Sequence, residues 1–455
     1  MILVIVRASA TLGFDTRIPG TEGSNVKRSS SYQDSLLRAM RQWLPGQFFS
    51  HWPVLRRVCW TAHRVFWTSI LMAWSVEQTL GERFDAVRRF LKTVLPHWCL
   101  GRSYQGWFDA LQKWLLPLQP AVAKHLRQQM HALAGRHWQP HGWCAFAVDG
   151  SRVECPRTKA NEQELGCAGR KKTGPQLFVT TLWHMGLGLP WDYRLGPGKS
   201  SERRHLEAML GELPPRSLLL ADAGFIGYEL CQRIVAAEQA FVLRVGKNVT
   251  LLTRLGYYER EDAQTVYLWP QKQRRCHPLV LRLIVCGSGT DKVYLVTNVL
   301  DQQQLSDATA AVFYQRRWGV EVFYRSCKQT LQRRKMLSRC PSGCYAELHG
   351  TMLGLWLLGL ISVAAIVRRG GTPLSWSVAL SRRLVRQALQ GTGRGDLQVR
   401  LARAVKDDYQ RQASKKARDW PHKKKEPAAG APKIKPANRE QLRQMKRLEE
   451  KLAAA

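Results

Sequence analysis

The chain has 455 residues, with 70 Lys and Arg against 34 Asp and Glu, and a formal net charge of +36. Its 45% hydrophobic content is enough for a folded core, which excludes a wholly disordered protein. The excess of cations indicates a polyanionic partner, nucleic acid first, with an anionic membrane or the ribosome as alternatives. The 11 scattered cysteines do not suggest a disulfide framework and fit a reducing cytosol.

The composition changes along the chain predict five regions. They are a disordered leader (1–32), a basic helical DNA-binding domain (33–140), an α/β region (141–368), further helices (369–410) and a basic tail (411–455) that is disordered or partly helical. Helical periodicity in Phe84–Leu95 and Trp107–Leu116 supports the helical domain. The apolar run Met352–Val367 is near the lower limit for a membrane span, and we predict a buried helix instead.

The α/β region has a clear order of elements. Strands are predicted at Cys144–Asp149, Leu177–His184 and Leu189–Leu195, then a helix at Ser201–Leu210, a strand at Ser217–Asp222, a helix at Tyr228–Gln239 and a strand at Ala240–Val245. Residues 247–300 are β-rich and predict an inserted antiparallel subdomain. One long helix is predicted to follow, over residues 306–334.

This long helix carries four polar residues at a spacing that places them together. Tyr314, Arg317, Glu321 and Lys328 occupy offsets 0, 3, 7 and 14. At about 100° per residue, a helix brings those offsets within roughly 60° of one another. One carboxylate among cations and a phenol suits a phosphate held beside a metal ion. The alternative is an ordinary solvated face of mixed charge.

Two aspartates favour the metal-site interpretation. Asp149 lies at the end of the first predicted strand and Asp222 at the end of the fourth. If those strands are neighbours, the two carboxylates meet, and Glu321 on a helix across the sheet completes the set. Mg²⁺ prefers carboxylate oxygens, and two ions about 4 Å apart serve phosphodiester cleavage. Taken singly, each Asp is more typical of a turn.

The combined spacing resembles a known family, the bacterial insertion-sequence DDE transposases with a Tyr-Arg-Glu-Lys signature. That signature has two residues between Tyr and Arg, three between Arg and Glu and six between Glu and Lys, as in Tyr314–Lys328. Val148–Ser151 and Ala221–Phe225 are similar to the two aspartate blocks. The resemblance implies a ribonuclease H-like catalytic core with the inserted β subdomain, preceded by a helical domain and followed by helices and the basic tail.

The resemblance also implies roles for individual residues. The metal ligands and catalytic residues would be Asp149, Asp222 and Glu321, holding two Mg²⁺ ions, or Mn²⁺. The DNA phosphate contacts would be Tyr314, Arg317 and Lys328, with Arg325 as an additional one. Trp318 and Trp269 are the candidates for stacking on an unpaired base, with plain packing as the alternative for both.

The function implied is cut-and-paste transposition. The substrates would be double-stranded DNA, both the terminal inverted repeats and the target, bound by a homodimer on paired ends. The expected location is the bacterial cytoplasm, at the nucleoid and not at a membrane. Two alternatives stay open: a metal-dependent nuclease of the same fold, and an inactive DNA-binding protein derived from a transposase.

Overall fold

The computed structural model describes residues 32–52, 58–166, 174–289, 292–407 and 430–453. The helices are α1 (Tyr32–Trp43), α2 (Ala62–Trp74), α3 (Leu80–Val94), α4 (Tyr104–Ala134), α5 (Lys159–Glu164), α6 (Glu202–Glu207), α7 (Tyr228–Ala236), α8 (Asp307–Arg316), α9 (Gly319–Arg325), α10 (Pro341–Val367), α11 (Val378–Leu389), α12 (Leu397–Leu401) and α13 (Arg439–Ala453). The predicted leader, apart from Tyr32, and residues 411–429 of the predicted tail lie outside the described residues.

The strands form one mixed sheet. They are β1 (Ala145–Glu154), β2 (Gln176–His184), β3 (Leu189–Pro197), β4 (Leu218–Ala221), β5 (Ala240–Val245), β6 (Thr250–Thr253), β7 (Thr265–Leu268), β8 (Leu279–Cys286), β9 (Val293–Thr297) and β10 (Lys433–Pro436). Their order across the sheet is β10-β6-β7-β8-β9-β5-β4-β1-β2-β3. The protein is therefore of the mixed α/β class.

The central strands run as the sequence predicts. β1, β4 and β5 are parallel neighbours, and β2 pairs antiparallel with both β1 and β3. Every residue of β4 is buried, as expected for a short apolar strand covered on both faces. The predicted order of three strands, helix, strand, helix and strand is confirmed for residues 145–245, except that the short helix α5, which was not predicted, lies between β1 and β2.

The β-rich insertion differs from the separate subdomain that the sequence suggested. Its strands β6 to β9 are antiparallel to their neighbours in the insertion, but they continue the central sheet. The join is the antiparallel pairing of β5 with β9, where Val242 is opposite Thr297 and Val245 is opposite Tyr294. The physical reason is that β5 would otherwise expose an unpaired edge.

The N-terminal helices share a core with α10. This helix is apolar on nearly all sides, and such a helix is stable only when surrounded. It packs against α1, α2 and α4, and the indole of Trp74 donates a hydrogen bond to the Gly354 carbonyl at 2.9 Å. Among the described helices, α10 alone has the length and hydropathy to cross a bilayer, and 94% of its most apolar 18-residue stretch is buried inside the protein. The prediction of a buried helix at Met352–Val367 is confirmed.

Part of the predicted tail is folded. β10 pairs parallel with β6, and α13 follows it and buries Met445. Leu442, Met445 and Leu448 recur every three residues along α13, so a Lys- and Arg-rich segment still has one apolar face. Helix α13 thus agrees with the partly helical alternative for the tail, whereas strand β10 was not predicted.

Candidate active site

Asp149 and Asp222 lie on neighbouring parallel strands. β1 and β4 pair with Ala147 opposite Leu220, and the same register carried two residues further aligns Asp149 with Asp222. β4 ends at Ala221, so Asp222 is the first residue beyond the strand, and its Oδ1 accepts a hydrogen bond from the Gly224 amide at 2.8 Å. In contrast to the prediction, β1 continues past Asp149 to Glu154, paired with β2.

The predicted single helix over 306–334 is interrupted. α8 ends at Arg316, α9 begins at Gly319, and a π-helical turn covers Ser326–Thr330. The turn between α8 and α9 is tight, with the Glu321 amide bonded to the Trp318 carbonyl three residues earlier at 3.2 Å. Gly319 contacts the ring of Trp183 on β2 so closely that a Cβ would lie 2.1 Å from it. A residue with a Cβ would therefore not fit at this position without movement of the ring.

A tyrosine on α9 fixes this helix over the two aspartates. The hydroxyl of Tyr324 donates to the main-chain carbonyls of Asp149 at 2.8 Å and Val179 at 3.2 Å. Glu321 lies three residues earlier, on the same side of the helix. Burial raises the pKa of the Glu321 carboxyl, Arg317 lowers it and Asp222 raises it. The third predicted carboxylate is therefore within electrostatic range of the second.

Arg317 and Tyr314 form the wall next to Glu321. The guanidinium of Arg317 makes a 3.3 Å ion pair with the carboxylate of Glu321 and lies 5.4 Å from the ring centre of Tyr314. Arg317 is only 8% exposed. Within the described part of the chain, the Arg317 Nε and the Tyr314 hydroxyl are buried without a hydrogen-bond partner. Such groups normally have partners, so these two donors are available to a ligand.

Two further predicted cations lie at the same end of α9. Burial lowers the pKa of the half-buried Lys328 ammonium, while Asp149 and Glu154 raise it. Arg325 is exposed and lowers the pKa of Glu321. The structure thus brings all seven of the predicted metal and phosphate residues to one region, although the break in the helix replaces the straight stripe.

The structure adds a carboxylate that the sequence analysis did not select. Glu202, in the first turn of α6, reaches under Gly150, where a Cβ would lie 2.8 Å from Glu202 Oε1. Burial and Asp222 raise the pKa of Glu202, and Arg152 and Arg203 lower it. Gly150 therefore serves close approach within a strand, rather than a turn. A Glu opening the helix after β3 was the only sequence signal, and it is a weak one.

Asp149 is the carboxylate with the least compensation for its charge. The pKa of its carboxyl is raised to about 7: burial is the largest cause, the Gly150 amide and Arg317 oppose it, and Asp222 and Glu202 add to the rise. Oxygen donors of this kind suit Mg²⁺ or Mn²⁺, and a divalent cation would offset their repulsion. In the described residues, however, no three acidic, His or Cys side chains converge closely enough to hold one ion. The donor chemistry fits the ion, and the side chains would have to move to enclose it.

The two tryptophans proposed for base stacking have different environments. Trp318 is 56% exposed at the break between α8 and α9, beside Arg317. Trp269 is 3% exposed, and its indole donates to the Cys276 carbonyl at 2.8 Å. A ring that is buried and hydrogen-bonded has no free face for a base, so only Trp318 is carried into the proposed site.

Comparison with known proteins agrees with this geometry. Residues 140–357, which contain all three predicted catalytic carboxylates, match the family model described as "Transposase DDE domain". This part of the chain is therefore similar to the DDE domain of transposases. The matched region extends from just before β1 into α10, so it includes strands β1 to β9, with the insertion, and helices α8 and α9, but not β10.

Two curated relatives are insertion-sequence transposases. The chain is 24% identical over 231 residues to transposase InsG of insertion sequence element IS4 from Escherichia coli K12, covering 47% of this chain and 51% of that protein. It is 26% identical over 196 residues to a probable transposase of element IS5377 from Geobacillus stearothermophilus, covering 38% and 51%. The chain thus aligns with about half the length of each relative.

A solved structure shows a weaker likeness. The piggyBac transposase, in a synaptic complex with hairpin DNA, superposes over 83% of both chains with a TM-score of 0.42 and 10% identity. That similarity is too low to carry an argument about this site.

Proposed function

We propose that the protein is a DDE transposase that cleaves DNA at transposon ends and joins the ends to target DNA. The observation that carries the proposal is the alignment of Asp149 with Asp222 beneath the helix that bears Glu321, inside a DDE domain. The strand order β3-β2-β1-β4-β5, with β2 antiparallel, supports a ribonuclease H-like core.

Asp149, Asp222 and Glu321 are the residues proposed to hold two divalent metal ions, Mg²⁺ or Mn²⁺. When bound, such ions activate the attacking water and stabilise the leaving oxygen of the phosphodiester. Glu321 would exchange its ion pair with Arg317 for this role. Glu202 and Asp222 both lie beside Gly224: a Cβ at Gly224 would be 3.9 Å from Glu202 Oε2 and 3.0 Å from Asp222 Oδ1. Glu202 is proposed to position Asp222.

The cations of the site are proposed to hold the scissile strand. The unpartnered Arg317 Nε and Tyr314 hydroxyl donate to a phosphate oxygen, and a charge-assisted bond of this kind is strong where water is excluded. Lys328 and Arg325 extend the positive charge towards the flanking phosphates. Trp318 is proposed to stack on a base that leaves the duplex near the cut.

The partners and location are part of the same proposal. A net charge of +36 supports binding to double-stranded DNA, both the terminal repeats and the target. A homodimer on paired ends would coordinate the two cleavages. The proposed location is the bacterial cytoplasm, at the nucleoid. Each step is an in-line displacement in which a P–O bond breaks as another forms, first with water and then with the freed 3′-hydroxyl.

The decisive experiment compares Glu321→Gln with Glu259→Gln, a matched change at an exposed loop residue. Each variant is incubated with Mg²⁺ and a plasmid that carries the DNA flanking the gene. We expect wild type and Glu259→Gln to cut and to give joined products, and Glu321→Gln to bind DNA without cutting. Cutting without joined products would indicate a nuclease. A folded wild type that binds DNA without any cutting would indicate a binding protein and contradict the proposal.

A further inference from the structure

Helix α11 carries three arginines that line a cavity beside the active-site helix. The cavity has a volume of about 420 Å³, and its walls are Gln329, Thr330, Ala379, Arg382, Arg383 and Arg386. Arg382 and Arg386 are four residues apart and Arg383 and Arg386 are three apart, so their side chains leave one face of the helix. At about 30 Å³ per water molecule, the space holds on the order of ten waters, which is room for a hydrated phosphodiester.

The described part of the chain offers these arginines no neutralising partner. The walls of the cavity contain no acidic residue, and none of the ion pairs found among the described residues includes Arg382, Arg383 or Arg386. Buried Arg382 Nε has no hydrogen-bond partner in that part of the chain. Three like charges on one face repel one another, so the free protein tolerates a cost that an anion would remove.

Arg382 also fixes the cavity to the proposed active site. Its guanidinium donates to the Thr330 carbonyl at the end of the π-helical turn, and to the Ser75 carbonyl at 3.5 Å. Lys328 lies on the same turn, next to Gln329, which forms part of the wall. Arg383 and Arg386 are exposed and can reach a ligand without moving the backbone.

We propose that the three-arginine cavity is a phosphate-binding site that holds the backbone of the DNA flanking the cut. That the anion is DNA rests on the proposed function. The cavity and its unpaired positive charge are observed independently of that function. The geometry favours Arg at these positions because a guanidinium can bind a phosphate through two parallel N–H bonds. Lys328 and Arg386 would then contact successive parts of one strand.

The test uses the full chain with Arg383→Ala and Arg386→Ala combined. The matched control combines Arg260→Ala and Arg275→Ala, two exposed arginines in the loops around β7, far across the sheet from β1. Both doubles remove two positive charges. Binding to a 30-base-pair duplex of arbitrary sequence is measured by fluorescence anisotropy over a KCl series, and thermal unfolding confirms that each protein folds.

We expect the slope of log affinity against log salt to fall by about 1.8 for the cavity double, because each phosphate contact contributes about 0.9. The same relation gives a weakening on the order of 50-fold at 0.1 M salt. The control double should keep most of the wild-type slope. Equal loss of slope in both doubles would overturn the proposal, since total charge would then govern binding.

Two further measurements separate the possible failures. If inorganic phosphate raises the unfolding temperature of wild type but not of the cavity double, while both bind DNA alike, the cavity binds small anions only and the proposal is overturned. Glu259→Gln, the exposed loop change, is measured in the same salt series and should keep the wild-type slope. If the cavity double loses slope but wild type never cleaves DNA, the cavity proposal stands and the transposase proposal fails.

Discussion

Replacing Asp149 by Asn should make the metal-free protein more stable at alkaline pH. Burial raises the pKa of this carboxyl from 3.8 to about 7, so the folded state binds its proton more tightly than the unfolded state does. The associated stability is fully present below pH 3.8 and is lost as pH rises through about 7. Asn has the same shape without the charge, and a variant carrying it should not show this loss.

The size of the effect follows from the shift. A rise from 3.8 to about 7, at 1.36 kcal/mol per pH unit, corresponds to about 4 kcal/mol of unfolding free energy. We expect about 2 to 4 kcal/mol at pH 8, because movement of the ionised side chain towards water relieves part of the cost. Near pH 4 the two proteins should have nearly equal stability.

The assay is urea unfolding in the presence of a chelator, from pH 4 to pH 8.5. Asp85→Asn, a change at an exposed position of α3, is the matched control and should follow wild type throughout. Mg²⁺ binds the ionised carboxylate, so added Mg²⁺ should stabilise wild type more at pH 8 than at pH 5. At pH 8, added Mg²⁺ should stabilise Asp149→Asn less than it stabilises wild type. If Asp149→Asn is no more stable than wild type at pH 8, or gains equally at every pH, the reasoning about the charged site is wrong.

Three other changes test separate parts of the site. Glu202→Gln should lower the cleavage rate roughly tenfold to 100-fold, because it removes a residue that supports a metal ligand. Glu207→Gln, on the same helix, should not lower the rate. Equal cleavage rates for the two variants would show that Glu202 is not part of the site. Gly150→Ala should destabilise the fold by about 1 to 3 kcal/mol in urea unfolding, because the new Cβ would lie 2.5 Å from the Phe178 ring. Gly211→Ala should not destabilise the fold, because no atom lies within 4 Å of the Cβ position there. If Gly150→Ala is as stable as wild type, the residues around Gly150 can move at little cost. Arg317→Ala should reduce cleavage on the order of 100-fold, through loss of a phosphate donor, with Arg316→Ala as the exposed control; a normal rate would show that another cation holds the phosphate.

Sequence patterns predicted the elements around the catalytic centre because those signals are local. Period-two and apolar runs gave β1, β2, β3 and β5, and their order placed Asp149 and Asp222 at adjacent strands. The pairing of β5 with β9 was not predictable in the same way. It joins residues about 50 positions apart in the chain, and nothing in either strand marks its partner.

Features that depend on tertiary contact were missed or altered. The interruption between α8 and α9 lies where Gly319 packs against the Trp183 ring, which belongs to a strand more than 100 residues earlier. Glu202 becomes part of the site only because Gly150 leaves space for it across β1. Trp269 was a stacking candidate because the resembled family has an aromatic residue in the insertion, but it is buried, and the sequence cannot show which aromatic rings the core encloses.

The C-terminal segment that contains β10 and α13 protects the edge of the sheet. β10 covers the outer side of β6, and α13 anchors it by burying Met445 and through the 3.8 Å contact of Glu440 with Arg274. A chain shortened before residue 430 would leave the backbone amides and carbonyls of β6 open to strands of other molecules. Premature termination near the 3′ end of the gene would therefore yield a product that aggregates through this exposed edge. Such a product would lose solubility while it still contained all of the proposed catalytic residues.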